Sequence, residues 1–199
     1  VLFCGRLNKV KPTTPTYYFW ESFFSKEQIE ELHKVCATHH NKNYVDGCAS
    51  AKDKKYPLKK VFKVQQIFWG HAVEQLSFID DQIILNNRQN YGFNIDKNLN
   101  SDAVLFTRYK ELDNYDWHTD ATTDARFDHK FTVLINSSLS SYEGGELQLF
   151  GIGGEIDVPE FNQCGSVVMF KSYIPHRVKT VTKGTRDSIV YWKNGPSFV

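Results

Sequence analysis

The sequence predicts a mainly β (α+β) fold, a sandwich or barrel of short strands behind an N-terminal helical layer. From residue 91 onward, short runs of β-type residues alternate with glycine-bearing turns. No helical pattern separates these runs, which argues against a doubly wound parallel sheet. The helical periodicities lie before residue 91.

Taken in order, residues 1–16 carry Pro12 and Pro15 among Lys and Thr and read as an extended arm. The remainder, 17–199, reads as a single domain with its β core at about 91–193. Tyr17 to Phe24 is rich in aromatics. Ser25 and Gln28 then form a capping box that opens a helix. Ile29, Leu32, Val35 and Cys36 make one apolar stripe along it, and the helix ends near His39, His40 and Asn41. Residues 41–60, with Gly47 and Pro57, read as loop. A second helix spans Ala72–Leu85, with Val73, Leu76, Ile79, Ile83 and Ile84 facing inward.

The β runs are Tyr91–Ile95, Val104–Tyr109, Phe131–Asn136, Glu146–Phe150, Glu155–Val158, Ser166–Phe170, Arg177–Val181 and Ser188–Trp192. Gly144, Gly145, Gly165, Gly184 and the glycines at 151–154 separate them. The 151–154 glycines follow no first strand of a βαβ unit and open no helix, so they read as a hairpin and not as a dinucleotide site.

Composition narrows the function classes. The chain has 199 residues, 24 Lys plus Arg and 23 Asp plus Glu, for a net charge of +1. No whole-chain field steers nucleic acid or an anionic membrane, and neither is expected as a partner. Lys52, Lys54, Lys55, Lys59, Lys60 and Lys63 cluster, as a solvated face does. No apolar run approaches the ~20 residues that span a bilayer. The opening residues Val1 to Arg6 do not have the order of a secretory leader. Cys4, Cys36, Cys48 and Cys164 are scattered without C-x-x-C spacing, so a cytoplasmic protein with free or buried thiols is expected.

The residues that can carry chemistry lie in the β half. His118 and Asp120 form a His-x-Asp, and residues i and i+2 of an extended segment share a face. His176, from a neighbouring strand, would complete a 2-His-1-carboxylate set, which holds Fe(II) and leaves three positions open. Composition alone gives about one His-x-acid triplet by chance, so the pair needs support from its surroundings. Arg186, ten residues after His176, can place a buried fixed cation near such a metal. A buried Arg needs an anionic partner, and a dicarboxylic cosubstrate would be one. Tyr109, nine residues before His118, can donate its hydroxyl to the same carboxylate.

Rival assignments remain at this point. Asp116 also sits two residues from His118, so spacing alone does not separate it from Asp120. Asp124 has no simple strand relation to His118. Tyr115 and Trp117 either wall the substrate side or pack as ordinary aromatics. Trp192 shares the strand face of Arg186 and reads as core packing. His39, His40 and His129 have no suitable sequence partners and read as surface residues. The polar segment Ala121–Lys130 and residues 41–60 are candidates for a lid or for plain loops.

The stretches RYKELDNYDWHTD, FTVLINSSLSSYEGGELQLF and GSVVMFKSYIPHRVKTVTKGTRDSIVYW resemble the Fe(II)/2-oxoglutarate dioxygenases. The likeness is to the prolyl-4-hydroxylase-like branch that includes PKHD-type hydroxylases, and it covers about residues 100–193. It implies a double-stranded β-helix, or jelly roll, with flanking N-terminal helices. It implies that His118, Asp120 and His176 bind Fe(II), that Arg186 pairs with the distal carboxylate of 2-oxoglutarate, and that Tyr109 assists. Prolyl hydroxylases of animals and plants usually carry Lys at the cation position, so Arg186 fits the PKHD-type branch better. The order His then Asp favours Asp120, and its carboxylate favours hydroxylation over halogenation. The implied cofactors are Fe(II), 2-oxoglutarate and O2, with ascorbate as a reductant. The implied substrate is a peptidyl proline or another amino-acid side chain, on a protein or a small amino-acid-like molecule. A cupin-type jelly-roll metalloprotein without 2-oxoglutarate and a non-catalytic binding module are the alternatives. The sequence assigns no oligomeric state.

Overall fold

A computed structural model describes residues 14–39, 45–47, 62–95, 103–120 and 127–197. Its elements run β1 (Tyr17–Trp20), α1 (Lys26–His39), β2 (Val45–Gly47), β3 (Phe62–Phe68), α2 (Val73–Asn86), β4 (Ala103–Lys110), β5 (Tyr115–His118), β6 (Phe127–Asn136), β7 (Glu143–Gly144), β8 (Leu147–Gly151), β9 (Gly154–Asp157), β10 (Val167–Lys171), β11 (His176–Val178), β12 (Val181–Lys183) and β13 (Thr185–Pro196). The larger sheet has seven strands in the order β1-β10-β6-β13-β4-β3-β2, and a four-stranded sheet has the order β5-β11-β8-β9. Every described pairing is antiparallel. The expected jelly roll with an N-terminal helical layer is what forms.

Period-two alternation gives the large sheet two apolar faces. Phe106, Val133, Met169, Ile189 and Tyr191 point toward α1 and α2, where they pack with Ile29, Leu32, Leu76, Ile79 and Ile83. On the same strands Leu134, Val168, Phe170 and Val190 point the other way and pack with Leu147 and Leu149 of the small sheet. The second face leaves room for a cavity between the sheets. Across the helical layer, Lys193 of β13 meets Asp80 of α2 at 2.8 Å, with both side chains buried. The Tyr191 hydroxyl also donates to Asp80.

The helix start at Ser25 follows the capping box: Ser25 N–H donates to Gln28 Oε1 at 2.8 Å, and Gln28 N–H donates to Ser25 Oγ at 3.3 Å. In α2 the inward stripe differs from expectation. Val73 is 45 % exposed, and Ala72 is buried in its place. A 3.6-residue period run back from Ile83, Ile79 and Leu76 reaches 72, not 73. Asp80 and Asn86 share the buried face.

Tyr91–Ile95 is not a strand. Tyr91 ends a π-helical turn capped by Gly92 at φ 73°. The Asn87 side chain then bonds both backbone groups of Phe93, at 2.8 and 2.9 Å, which takes up the groups that strand pairing would use. The run Arg177–Val181 divides between β11 and β12. Strands β1, β2, β3, β5 and β7 have no counterpart among the expected runs. Strand β2 falls inside the expected loop 41–60, and β6 begins within Ala121–Lys130. The rest of both segments, most of the arm 1–16, and the lysine cluster apart from Lys63 lie outside the described residues. None of the described helices is long and apolar enough to cross a membrane.

Candidate metal centre

His118 ends β5 and His176 begins β11, and the two are register partners across that antiparallel pair. Their ring centroids lie 4.1 Å apart. Two residues past the strand, Asp120 is held by its own N–H, which donates to the Ser172 carbonyl at 2.9 Å. Its Oδ1 lies 3.7 Å from His118 Nε2, and its Oδ2 lies 3.5 Å from His176 Nε2. Among the described residues these three form the one group of His, Cys, Asp or Glu side chains close enough to share an ion.

Both imidazoles are oriented by the same local device. His118 Nδ1 meets the Asp116 carbonyl at 2.7 Å, and His176 Nδ1 meets the Ile174 carbonyl at 3.1 Å. A carbonyl only accepts, so Nδ1 carries the proton and Nε2 is left with its lone pair toward Asp120. Burial, followed by the charge of His176, lowers the His118 pKa to about 4. That keeps the ring in the form a metal needs.

A β-bulge separates Asp120 from its rival Asp116. Between the pairs His118↔His176 and Tyr115↔Val178, three steps on β5 oppose two on β11. The extra residue changes the strand's parity. Tyr115 and His118 therefore both face the cavity, and the Tyr115 ring stacks on His118 at 3.7 Å. Asp116 is exposed, with Oδ1 accepting from Trp117 N–H. Trp117 does not line the cavity: it sits beneath the Arg177 guanidinium, 4.6 Å from its ring centre, with Phe150 against its edge. Asp124 lies outside the described residues.

The inter-sheet cavity has a volume of about 360 Å³. His118, Asp120 and His176 border it together with Tyr109, Thr107, Arg186, Ser188 and Trp192, and Leu105, Leu134, Leu147 and Val190 supply apolar walls. Arg186 is 1 % exposed. Its Nη1 donates to Ser188 Oγ at 3.2 Å, but its Nε and Nη2 have no hydrogen-bond partner among the described residues. Ser188 Oγ is in turn tied to Thr107 Oγ1 at 2.7 Å. Tyr109, paired with Arg186 across β4 and β13, lies under the guanidinium at 5.2 Å. Burial pushes the Tyr109 phenol pKa well up, with Arg186 opposing, so it stays a hydroxyl. A buried cation with two orphaned donors beside a neutral phenol fits an anionic ligand with acceptor oxygens of its own. Two imidazole nitrogens and a carboxylate oxygen fit Fe(II) with open positions.

Sequence reasoning missed several contributors, among them Ser188 and Thr107, which tie down Arg186. Thr132 Oγ1 donates to Asp120 Oδ2 at 2.8 Å, and Trp192 Nε1 donates to the same oxygen at 3.0 Å. Trp192 thus has a polar task beyond the packing expected of it. His129, expected at the surface, stacks on Trp192 at 5.1 Å and meets Asn194 Oδ1 at 2.6 Å. Gly145, with φ +68°, lies where an added Cβ would come within 2.9 Å of Arg186 Cδ. The period-two relation of Arg186, Ser188, Val190 and Trp192 on β13 was the available signal for Ser188 and Trp192. Thr132 and Gly145 gave none.

The chain is similar to known proteins in sequence and in fold. Residues 104–194 match the family described as the 2OG-Fe(II) oxygenase superfamily. A PKHD-type hydroxylase of Picosynechococcus sp. is 31% identical over 178 residues, covering 85% of this chain and 77% of the relative. One from Crocosphaera subtropica is 29% identical over 180 residues, covering 86% and 75%. Among solved structures, a Pseudomonas putida prolyl-4-hydroxylase superposes with a TM-score of 0.66 at 20% identity, covering 92% of this chain and 95% of that one. A Trichoplax adhaerens prolyl hydroxylase, solved with a hypoxia inducible factor oxygen degradation domain peptide fragment, gives 0.66 at 16% identity, covering 90% and 84%.

Proposed function

The chain belongs to the 2OG-Fe(II) oxygenase superfamily, in its PKHD-type, prolyl-4-hydroxylase-like branch, and from that premise we propose that it hydroxylates a peptidyl proline or another amino-acid side chain. The reaction class, a 2-oxoglutarate-dependent hydroxylation, comes with the family. The residue roles and the substrate are our reading.

His118, Asp120 and His176 would hold Fe(II), and Arg186 would bind the distal carboxylate of 2-oxoglutarate with help from Tyr109. The observation that carries this reading is the orphaned Arg186 Nε and Nη2, buried in the cavity the three ligands border. A cupin-type metalloprotein or a binding module has no use for an unsatisfied buried cation there. Bound at these positions, the iron and cosubstrate supply oxidative decarboxylation to succinate and CO2 and the oxidising power for an unactivated C–H. The chain contributes orientation and exclusion of water. Ser188 and Thr107 fix the guanidinium, Leu105, Leu134 and Val190 keep the cavity apolar, and Tyr115 covers one face of His118.

A peptide substrate is supported by the Trichoplax relative, whose structure holds a peptide fragment. Tyr115, at the cavity, is proposed to wall the substrate side, and Trp117, on the outer face of the same strand, to border its approach. Ascorbate is proposed as the reductant for iron oxidised without substrate. A cytoplasmic setting is proposed from the scattered cysteines, which have no C-x-x-C spacing.

The test is succinate release from 2-oxoglutarate with a panel of proline-containing peptides, free amino acids and proline-free control peptides. A proline peptide should stimulate release and gain one oxygen by mass spectrometry. Stimulation only by free amino acids or by control peptides would overturn the peptidyl-proline assignment.

A further inference from the structure

The two oxygens of Asp120 are not equivalent. Oδ2 accepts from the Thr132 hydroxyl at 2.8 Å and from the Trp192 indole N–H at 3.0 Å. A carboxylate oxygen has two lone-pair directions, so Oδ2 is fully engaged. Among the described residues Oδ1 accepts no hydrogen bond; His118 Nε2 lies 3.7 Å from Oδ1, and His176 Nε2 lies 3.5 Å from Oδ2.

Both donors are fixed from behind. Thr132 and Ser172 are fully buried, and their hydroxyls lie 3.1 Å apart. The Thr132 hydroxyl thus has both Asp120 Oδ2 and Ser172 Oγ within donating reach, and the contact to the charged oxygen is the shorter. The same Ser172 accepts the Asp120 N–H through its carbonyl. On the other side the Trp192 ring is held flat against His129, 13° from parallel.

We propose that Thr132 and Trp192 are positioning residues that hold Asp120 to a single metal-binding oxygen, Oδ1. The inference rests on the ligand roles proposed above. It follows from counting positions. An octahedral ion bound by two imidazoles and one carboxylate oxygen keeps three sites, two for a chelating 2-oxo acid and one for O2. A carboxylate binding through both oxygens would leave two, and the 2-oxo acid and O2 would compete. Two hydrogen bonds on Oδ2 make it the poorer metal donor, and they lock the carboxylate against rotation. Neither residue needs to touch metal, cosubstrate or substrate to act in this way.

The test uses Thr132→Val and Trp192→Phe, which remove one donor each and keep much of the side-chain shape, with Thr132→Ser as the conservative rescue. Each variant is first shown to be folded by its melting temperature, and the two donor deletions serve as independent probes. Mn(II) affinity is then measured by electron paramagnetic resonance. The 2-oxoglutarate dissociation constant of the Mn(II)-loaded protein follows by calorimetry. In the unaltered protein, failure of Mn(II) or of 2-oxoglutarate to bind would contradict the ligand assignment itself. Given that binding, Thr132→Val and Trp192→Phe should leave Mn(II) affinity unchanged or tighter and weaken 2-oxoglutarate about tenfold, the scale of one charged hydrogen bond. Thr132→Ser should restore it. Unchanged 2-oxoglutarate affinity in both variants, or a loss that only tracks a parallel loss of Mn(II), would overturn the proposal.

Discussion

Arg186 and Tyr109 stand opposite one another on β13 and β4, with the guanidinium 5.2 Å from the phenol ring and both side chains buried. The guanidinium is poorly satisfied as a structural feature, since two of its nitrogens have no hydrogen-bond partner among the described residues. It becomes well satisfied once a carboxylate enters.

This gives Arg186 opposite effects on binding and on stability. Arg186→Ala should weaken 2-oxoglutarate about 100-fold while leaving metal affinity within a few-fold, because truncating one side of a buried charged pair costs about 2–5 kcal/mol. The same change should not lower the melting temperature of the ligand-free protein by more than a core truncation of that size would, because it removes unsatisfied buried donors. Calorimetry and thermal melts check the two halves separately.

Gly145 makes space for the Arg186 stem. Gly145→Ala puts a methyl 2.9 Å from Arg186 Cδ at a backbone φ of +68°. The left-handed conformation alone costs an L-residue about 1–2 kcal/mol. The expected result is a lower melting temperature together with weaker 2-oxoglutarate binding, and little change in metal affinity.

The pH behaviour of the metal-free protein should report on His118. Its pKa is lowered to about 4 by burial and then by His176, against about 6.5 in an unfolded chain. Between those values the unfolded state binds more protons, so stability rises with pH. This contribution is full above about 6.5 and is lost as pH falls toward 4. Imidazole NMR of metal-free protein should show the His118 ring still unprotonated at pH 5, in a resonance that vanishes in His118→Gln.

The buried Asp80–Lys193 pair ties α2 to β13. Asp80→Ala removes the carboxylate 2.8 Å from the buried Lys193 ammonium and should destabilise by about 3–5 kcal/mol. Denaturant melts measure it. A double change to apolar residues of similar volume should recover much of the loss.

The local parts of the fold were readable from the chain. Ser25 and Gln28 marked the α1 start, and β-type runs bounded by turn residues marked β4, β6, β10 and β13. What escaped depends on contacts distant in sequence. Strand β3 is held in place by pairing with β4, and its own alternation, Phe62-Lys63-Val64-Gln65, breaks at Gln66. Of the site, His118, Asp120, His176 and Arg186 could be picked by residue type and spacing. Choosing Asp120 over Asp116 on structural grounds required the β5 bulge, which pairing with β11 creates. Thr132 and Trp192 reach Asp120 from strands β6 and β13, 12 and 72 residues away, a distance over which sequence spacing has no meaning.

The most direct measurement is anaerobic titration of Fe(II) into metal-free protein with 2-oxoglutarate present, following the visible iron-to-oxoglutarate charge-transfer band. The account predicts a band in the unaltered protein that is lost in Asp120→Ala and shifts to much higher 2-oxoglutarate concentration in Arg186→Ala. A folded protein that gives no band, or an Arg186→Ala variant that titrates like the unaltered protein, would contradict it.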